Sequence, residues 1–204
     1  MAEEYVSQQA LDRLLAADAH RTVDQRHINQ DGFAYQFLPL FYESKYMSSE
    51  KAITTAEGRD LILTRSFNAP PEKVFNAWTQ PALLKQWFAP MPWTTTKAEL
   101  DVRAGGTSLI VMCSPEGKEF PGRGVYLEVV KNARLVFTDA FTKAWEPSAN
   151  PFMLVELTFE AQAELTKYTA RVRHWSVADR EAHEKMGFHQ GWVTCAEQLA
   201  ALVE

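Results

Sequence analysis

The stretch SVADREAHEKMGFHQGWVTCAEQLAALVE, residues 176–204, decides how the rest of the chain is read. His189, Trp192, Val193, Ala196, Leu199, Ala200 and Val203 recur in steps of three and four. That spacing lays one apolar or ring-bearing stripe along a helix of 3.6 residues per turn. Arg180, Glu184, Lys185 and Glu197 fall on the other side. Ser176 is placed to cap the helix, with Asp179 three residues on and Glu181 near the positive dipole end. No proline interrupts the run, so the spacing predicts one helix of about 25 residues and roughly 37 Å. A helix with one apolar side needs a partner surface, and the residues before it supply strands.

Working back from the helix, Leu165–Val177 alternates as a strand, with Thr166, Tyr168, Ala170, Val172 and His174 on one face. Met153, Val155, Leu157 and Phe159 alternate with Leu154, Glu156, Thr158 and Glu160. Further strands are expected at Thr94–Arg103, Thr107–Ser114, Phe120–Val130 and Arg134–Thr142, with Val125, Leu127 and Val129 on one face of the third of these. Ala104-Gly105-Gly106 and Pro115-Glu116-Gly117 read as tight turns. Ahead of them, Arg59–Phe67 alternates as a first strand. Pro70-Pro71 then opens a helix carrying Val74, Phe75 and Trp78, and Pro81 opens another carrying Leu83, Leu84, Trp87 and Phe88. Short connections imply antiparallel neighbours. The expectation is an α+β domain over residues 59–204: a curled, antiparallel, seven-stranded sheet around a long C-terminal helix, with two short helices after the first strand. A curled sheet around one helix leaves a concavity between them.

Residues 1–58 differ in character and read as an N-terminal extension or arm. Val6, Ala10, Leu11, Leu14, Leu15 and Ala17 suggest an amphipathic helix ending near His20, and Phe33 to Tyr46 is rich in aromatics. The arm could pack on the domain or on a neighbouring subunit, or cover the mouth of a pocket. Met47 could be an alternative start.

Composition narrows the function classes. Apolar residues make up 46% of the 204 residues, with twelve Phe and six Trp, enough for a core without disulfide staples. The net charge of −5 with interspersed signs argues against a nucleic-acid surface. Two cysteines without metal-ligand spacing, and no secretory signal, point to a reducing cytoplasm. No apolar run approaches the length of a membrane span.

Three places carry a family resemblance. They are Arg65-Ser-Phe-Asn-Ala-Pro-Pro-Glu-Lys-Val-Phe-Asn-Ala-Trp-Thr79 leading to Trp87, Asp101-Val-Arg-Ala-Gly-Gly-Thr107 with Gly117 and Gly124, and Glu184-Lys-Met-Gly-Phe-His-Gln-Gly-Trp192. They resemble the family named after the activator of the heat-shock protein 90 ATPase, within the START and birch-pollen-allergen-like (SRPBCC) helix-grip superfamily. The resemblance implies a helix-grip fold, and it covers about residues 59–204. The superfamily includes lipid carriers, aromatic polyketide cyclases and hormone receptors, so activity is not implied. The extension lies outside the pattern.

Known chemistry is thin. His183-Glu184 lacks the second His of a zinc-protease motif, because position 187 is Gly187. His183 and His189 stand about 240° apart around a helix and cannot share a metal. Ser48-Ser-Glu-Lys51 fits S-x-x-K only formally, no GxSxG occurs, and Gly122-Arg-Gly124 is no dinucleotide fingerprint. No catalytic residue, metal or cofactor is assigned. Gly187 and Gly191 read as close approach of a neighbouring element or as room for a ligand. His174 is the polar strand residue to check first, because Arg171 and Arg173 occupy the opposite face.

The favoured expectation is a hydrophobic small molecule held between sheet and helix, with Trp78, Trp87, Met112, Tyr126, Phe137, His174, Met186, Phe188 and Trp192 as cavity candidates. A chaperone-regulating or stress-response interaction module and a cyclase or lyase using the same cavity stay open. So do a homodimer and a chaperone partner.

Overall fold

The structure, a computed structural model, describes residues Lys51–Glu204, and its strands Met153–Gln162 and Leu165–His174 bury alternate side chains on one face. The helix expected near Val6–His20, the aromatic stretch Phe33–Tyr46 and Met47 lie outside the described residues. Among the described residues ten strands and four helices follow in order: β1 (Ile53–Glu57), β2 (Asp60–Phe67), α1 (Pro71–Thr79), α2 (Pro81–Leu84), β3 (Thr94–Leu100), β4 (Thr107–Cys113), β5 (Glu119–Val130), β6 (Arg134–Thr138), β7 (Phe141–Lys143), β8 (Glu146–Pro147), β9 (Met153–Gln162), β10 (Leu165–His174), α3 (Val177–Lys185) and α4 (Phe188–Val203).

Eight strands form one sheet in the order β1-β2-β10-β9-β6-β5-β4-β3, and β7-β8 is a separate hairpin. Neighbours in the large sheet are antiparallel throughout. The fold is the helix-grip α+β arrangement, with one more strand in the sheet than the alternation predicted. The addition is β1, which pairs with β2 from Ile53↔Thr64 to Glu57↔Asp60. The sheet therefore begins ahead of Arg59.

The inner face is apolar where the alternation placed it. Leu61, Leu63 and Phe67 of β2, Val155, Leu157 and Phe159 of β9, and Tyr168, Ala170 and Val172 of β10 are buried. Against them lie Phe188, Ala196, Leu199, Ala200 and Val203 of α4, and Val74, Phe75 and Trp78 of α1. On the opposite face Asp60 receives bonds from Arg171 at 2.7 Å and Arg173 at 2.9 Å, tying β2 to β10. Strand β5 departs from the expected alternation. Its register with β6 shifts between Tyr126 and Glu128, so Tyr126 is buried and Leu127 turns outward. Such a bulge bends the strand and flips the faces that follow.

The largest correction concerns residues 176–204, which form two helices. Ser176 caps α3 as the spacing suggested: the Asp179 N–H donates to its Oγ at 3.1 Å. The helix then ends at Lys185, and Gly187 adopts φ 97°, the left-handed conformation that glycine takes without steric cost. The stripe belongs to α4, whereas α3 buries no residue fully. Glu184 spans the break: Arg180 donates to it, and it bonds His189 Nε2 at 2.9 Å. His189 Nδ1 meets Thr54 Oγ1 at 2.8 Å, which ties the second helix to β1.

The turn at Gly105-Gly106 is forced by space. A Cβ on Gly106 would stand 1.9 Å from the Asp101 carbonyl oxygen. Gly106→Ala is therefore expected to lower unfolding free energy by roughly 1–3 kcal/mol. Urea denaturation checks this, and an unchanged midpoint contradicts that close approach.

Candidate functional site

Between the inner face of the sheet and the helices lies a cavity of about 470 Å³. Its floor is Leu63 of β2, Met112 of β4, Met153 of β9 and Tyr168 of β10. One wall is Trp78 of α1 with Trp87, Phe88, Pro90 and Trp93 from the segment after it. The other is His183 and the Met186–Gly187 turn, then Phe188, Gly191, Trp192, Cys195, Ala196 and Leu199 of α4. The first wall is pinned to α4. Gln198 Nε2 donates to the carbonyls of Trp87 at 2.8 Å and Ala89 at 2.9 Å, its Oε1 accepts from Met91 N at 2.9 Å, and Cys195 Sγ donates to Phe88 O at 3.1 Å. Trp78 and Trp87 meet edge to face at 4.6 Å. Exposed Met186 and the Trp93–Phe120 ring pair, 5.1 Å apart, stand at the rim. A separate, polar depression of about 700 Å³ runs over Glu99, Asp101, Arg123 and Glu146, and it gathers none of the predicted site residues.

Six of the nine expected residues line the cavity: Trp78, Trp87, Met112, Met186, Phe188 and Trp192. Tyr126, Phe137 and His174 lie outside its lining. Phe137 packs behind Trp78 at 6.2 Å, and Tyr126 packs on Phe137 at 6.1 Å, so both sit one layer back. His174 is fully buried and screened by His183. The glycines also differ from expectation. A Cβ at Gly187 or Gly191 would meet nothing within 4 Å, so neither marks a close approach. Gly187 supplies a backbone angle, and Gly191 leaves open space beside the cavity.

Sequence reasoning missed His183, Tyr168 and Cys195. A signal was present: His183, Gly187, Gly191, Cys195 and Leu199 recur every fourth residue, and all five line the cavity. Tyr168 shares its strand face with His174, whose inward direction was foreseen.

The polar groups are few. Burial, helped by nearby Cys195, pushes the Tyr168 hydroxyl well above its ordinary range, against the opposing influence of the Trp78 indole N–H. That N–H faces Tyr168 without reaching ordinary hydrogen-bond geometry, which leaves a buried donor at the wall. Burial pushes the Cys195 thiol up to about 12. Burial, and then the neighbouring His174, lowers His183 to about 4. Among the described residues no cluster of three metal-ligating side chains occurs. His183 pairs with His174, while His189 pairs with Glu184 and Thr54.

A family profile described as Activator of Hsp90 ATPase homolog 1-like protein matches residues 68–204. The chain belongs to that family. Among solved structures, this Activator of Hsp90 ATPase homolog 1-like chain is similar to a Nitrosomonas europaea protein at 38% identity, over 72% of this chain and 96% of that one, with a TM-score of 0.70. A Chromobacterium violaceum protein is 26% identical over 71% of this chain and 97% of that one, with a TM-score of 0.60. A Mycobacterium smegmatis protein shares the fold at 21% identity, over 77% of this chain and 98% of that one, with a TM-score of 0.65. No curated protein matches the chain. Among the described residues no helix is long and apolar enough to cross a membrane.

Two outcomes follow from this geometry. Because nothing stands near the Gly191 Cβ position, Gly191→Ala is expected to raise stability by about 1 kcal/mol in thermal or urea unfolding. A loss of stability would mean the space is filled. Separately, His183 titrates near 4 when folded and near 6.5 in its unperturbed form. Between those values the unfolded chain binds more protons, so this group's contribution declines as pH falls. The melting-temperature advantage of wild type over His183→Gln should shrink from pH 6.5 to pH 4. A constant difference contradicts the assignment.

Proposed function

We propose that the protein holds a small, largely apolar molecule in the cavity between its sheet and its C-terminal helices. The observation that carries this reading is the cavity itself: about 470 Å³, walled by indole, phenyl and thioether groups, beside a helix whose Gly191 leaves the space open. The volume falls in the ordinary range for small-molecule sites, and a mostly apolar lining with a few polar points is their usual character. Burying ligand surface at roughly 25 cal/mol per Å² supplies the driving force, offset by association costs.

Holding is favoured over proton transfer by the titratable groups in the lining. His183 is a weaker base than an ordinary histidine, while Tyr168 and Cys195 are weaker acids than ordinary tyrosine and cysteine. A general acid or base works best with a pKa near the working pH, and burial moves all three away from neutrality. The chaperone-regulating reading rests on the family description alone. The free thiols of Cys113 and Cys195 support a cytoplasmic setting. We place the start of the ligand-holding domain ahead of Ile53, with the preceding residues as its arm.

Titration with 2-methoxynaphthalene, followed by tryptophan fluorescence, tests the reading, since Trp78, Trp87, Trp93 and Trp192 all line the cavity. Saturable quenching is expected in the wild type. Gly191→Leu, which directs a side chain into the open space, should weaken binding at least tenfold while retaining a cooperative melt. Binding unaffected by Gly191→Leu, or no binding of either 2-methoxynaphthalene or 2-naphthol by the wild type, overturns the proposal.

A further inference from the structure

The two histidines behind the α3 wall form a directional chain. His174 Nδ1 lies 3.0 Å from the Arg59 carbonyl oxygen, and its Nε2 lies 2.9 Å from His183 Nδ1. A carbonyl oxygen only accepts, so the proton of His174 sits on Nδ1. In the neutral ring Nε2 is then an acceptor, and His183 Nδ1 must donate to it. The proton of neutral His183 is thereby used, and its Nε2 carries a lone pair. That atom has no hydrogen-bond partner among the described residues, and its ring lines the cavity. Three rings hold the imidazole: Phe152, His174 and Phe188 each have centroids 5.1 Å away. The Arg59 carbonyl is itself anchored, since it also accepts the His174 backbone N–H at 3.0 Å. The tautomer of the cavity-lining ring is thus set by a backbone carbonyl two groups away.

We propose that His183 Nε2 is a fixed hydrogen-bond acceptor for the ligand, so that the cavity selects apolar molecules bearing one O–H or N–H donor, phenols and related hydroxylated aromatics being the fitting class. This rests on the ligand-holding reading of the same cavity. The donor-bearing end lies against α3, beside the Met186–Gly187 turn. The aromatic body lies against Trp78, Trp87 and Trp192. A ligand of the same shape without the donor leaves the lone pair desolvated and unpaired, which is the usual source of discrimination by a buried polar group. A fully protonated ring could not accept, and lowered basicity keeps His183 in its accepting form at neutral pH.

The test uses 2-naphthol and 2-methoxynaphthalene, which share a ring system and an oxygen acceptor but differ in the donor. Calorimetric titration at pH 7 of the full chain should show the naphthol binding about three- to tenfold more tightly. His183→Phe should abolish that ratio, and His183→Gln, which restores an acceptor, should recover part of it. Equal affinities in the wild type overturn this inference and leave the ligand-holding reading standing. Binding of neither probe overturns both. A ratio that persists in His183→Phe assigns the preference to another group and overturns the inference. Should the phenylalanine variant fail to fold, ¹⁵N spectra of wild-type imidazoles decide the matter. The His183 Nε2 resonance should be of the unprotonated type and shift on adding 2-naphthol; a protonated Nε2 overturns the inference.

Discussion

An eight-stranded antiparallel sheet has an inner face that a single helix cannot cover, and the rest of this structure answers that mismatch. Strands spaced about 4.8 Å apart make the sheet roughly 34 Å wide along its curve, while a helix with side chains is about 10–12 Å across. Strand β5 bends at its bulge after Tyr126, which brings the sheet around the helix. Helix α4, about 24 Å long from its sixteen residues, seats Leu199, Ala200 and Val203 against Leu61, Leu63 and Phe67. Helix α1 covers a second part with Val74, Phe75 and Trp78. What neither helix reaches remains as the cavity. It persists because its walls are fixed from outside, through Gln198 and Cys195 on one side and the Gly187 turn on the other.

The polar atoms within this apolar interior are arranged unequally. Thr166 donates to the Ala69 carbonyl at 2.6 Å and Trp87 to that of Ala77 at 3.1 Å, so both are satisfied and structural. The Trp78 N–H and the His183 Nε2 are left without partners among the described residues, and both residues line the cavity. A buried donor without a partner, such as the Trp78 N–H, costs about 1–3 kcal/mol. The ends of that space are chemically distinct. The Trp78–Tyr168 side offers donors, and the α3 side offers an acceptor.

Much of the architecture was legible residue by residue. Strict alternation in β9 and β10 identified their inward faces, including His174, and the Pro70–Pro71 pair and Pro81 located α1 and α2. The extra strand β1 was not legible, because Ile53–Glu57 carries only one large apolar side chain and lies at the edge, where burial enforces no alternation. Leu127 was placed on one face with Val125 and Val129 because a bulge leaves no mark in a two-residue period. In the site, aromatic and thioether residues were found by type and position. Tyr126 and Phe137 have the same character but sit one layer behind, a distinction of a few ångströms that periodicity does not contain. His183 was considered only as a metal ligand, although its four-residue spacing with Gly187, Gly191 and Cys195 placed it on the cavity line.

The sequence alone determined the fold class, the order of the seven predicted strands and the two short helices, and the apolar stripe from Ala196 to Val203, because these follow from local periodicity and turn chemistry. It also held the glycine that ends α3, but a glycine in an apolar run reads equally as a helix interior, a close approach or a left-handed turn. Tertiary structure decided between them, since only packed neighbours show that nothing touches Gly191 and that Gly187 turns the chain. The pairing of His174 with His183, and with it the direction of every proton in that chain, was likewise decided in space. Hydrogen bonds depend on distances between atoms that the sequence leaves nine residues apart on different elements.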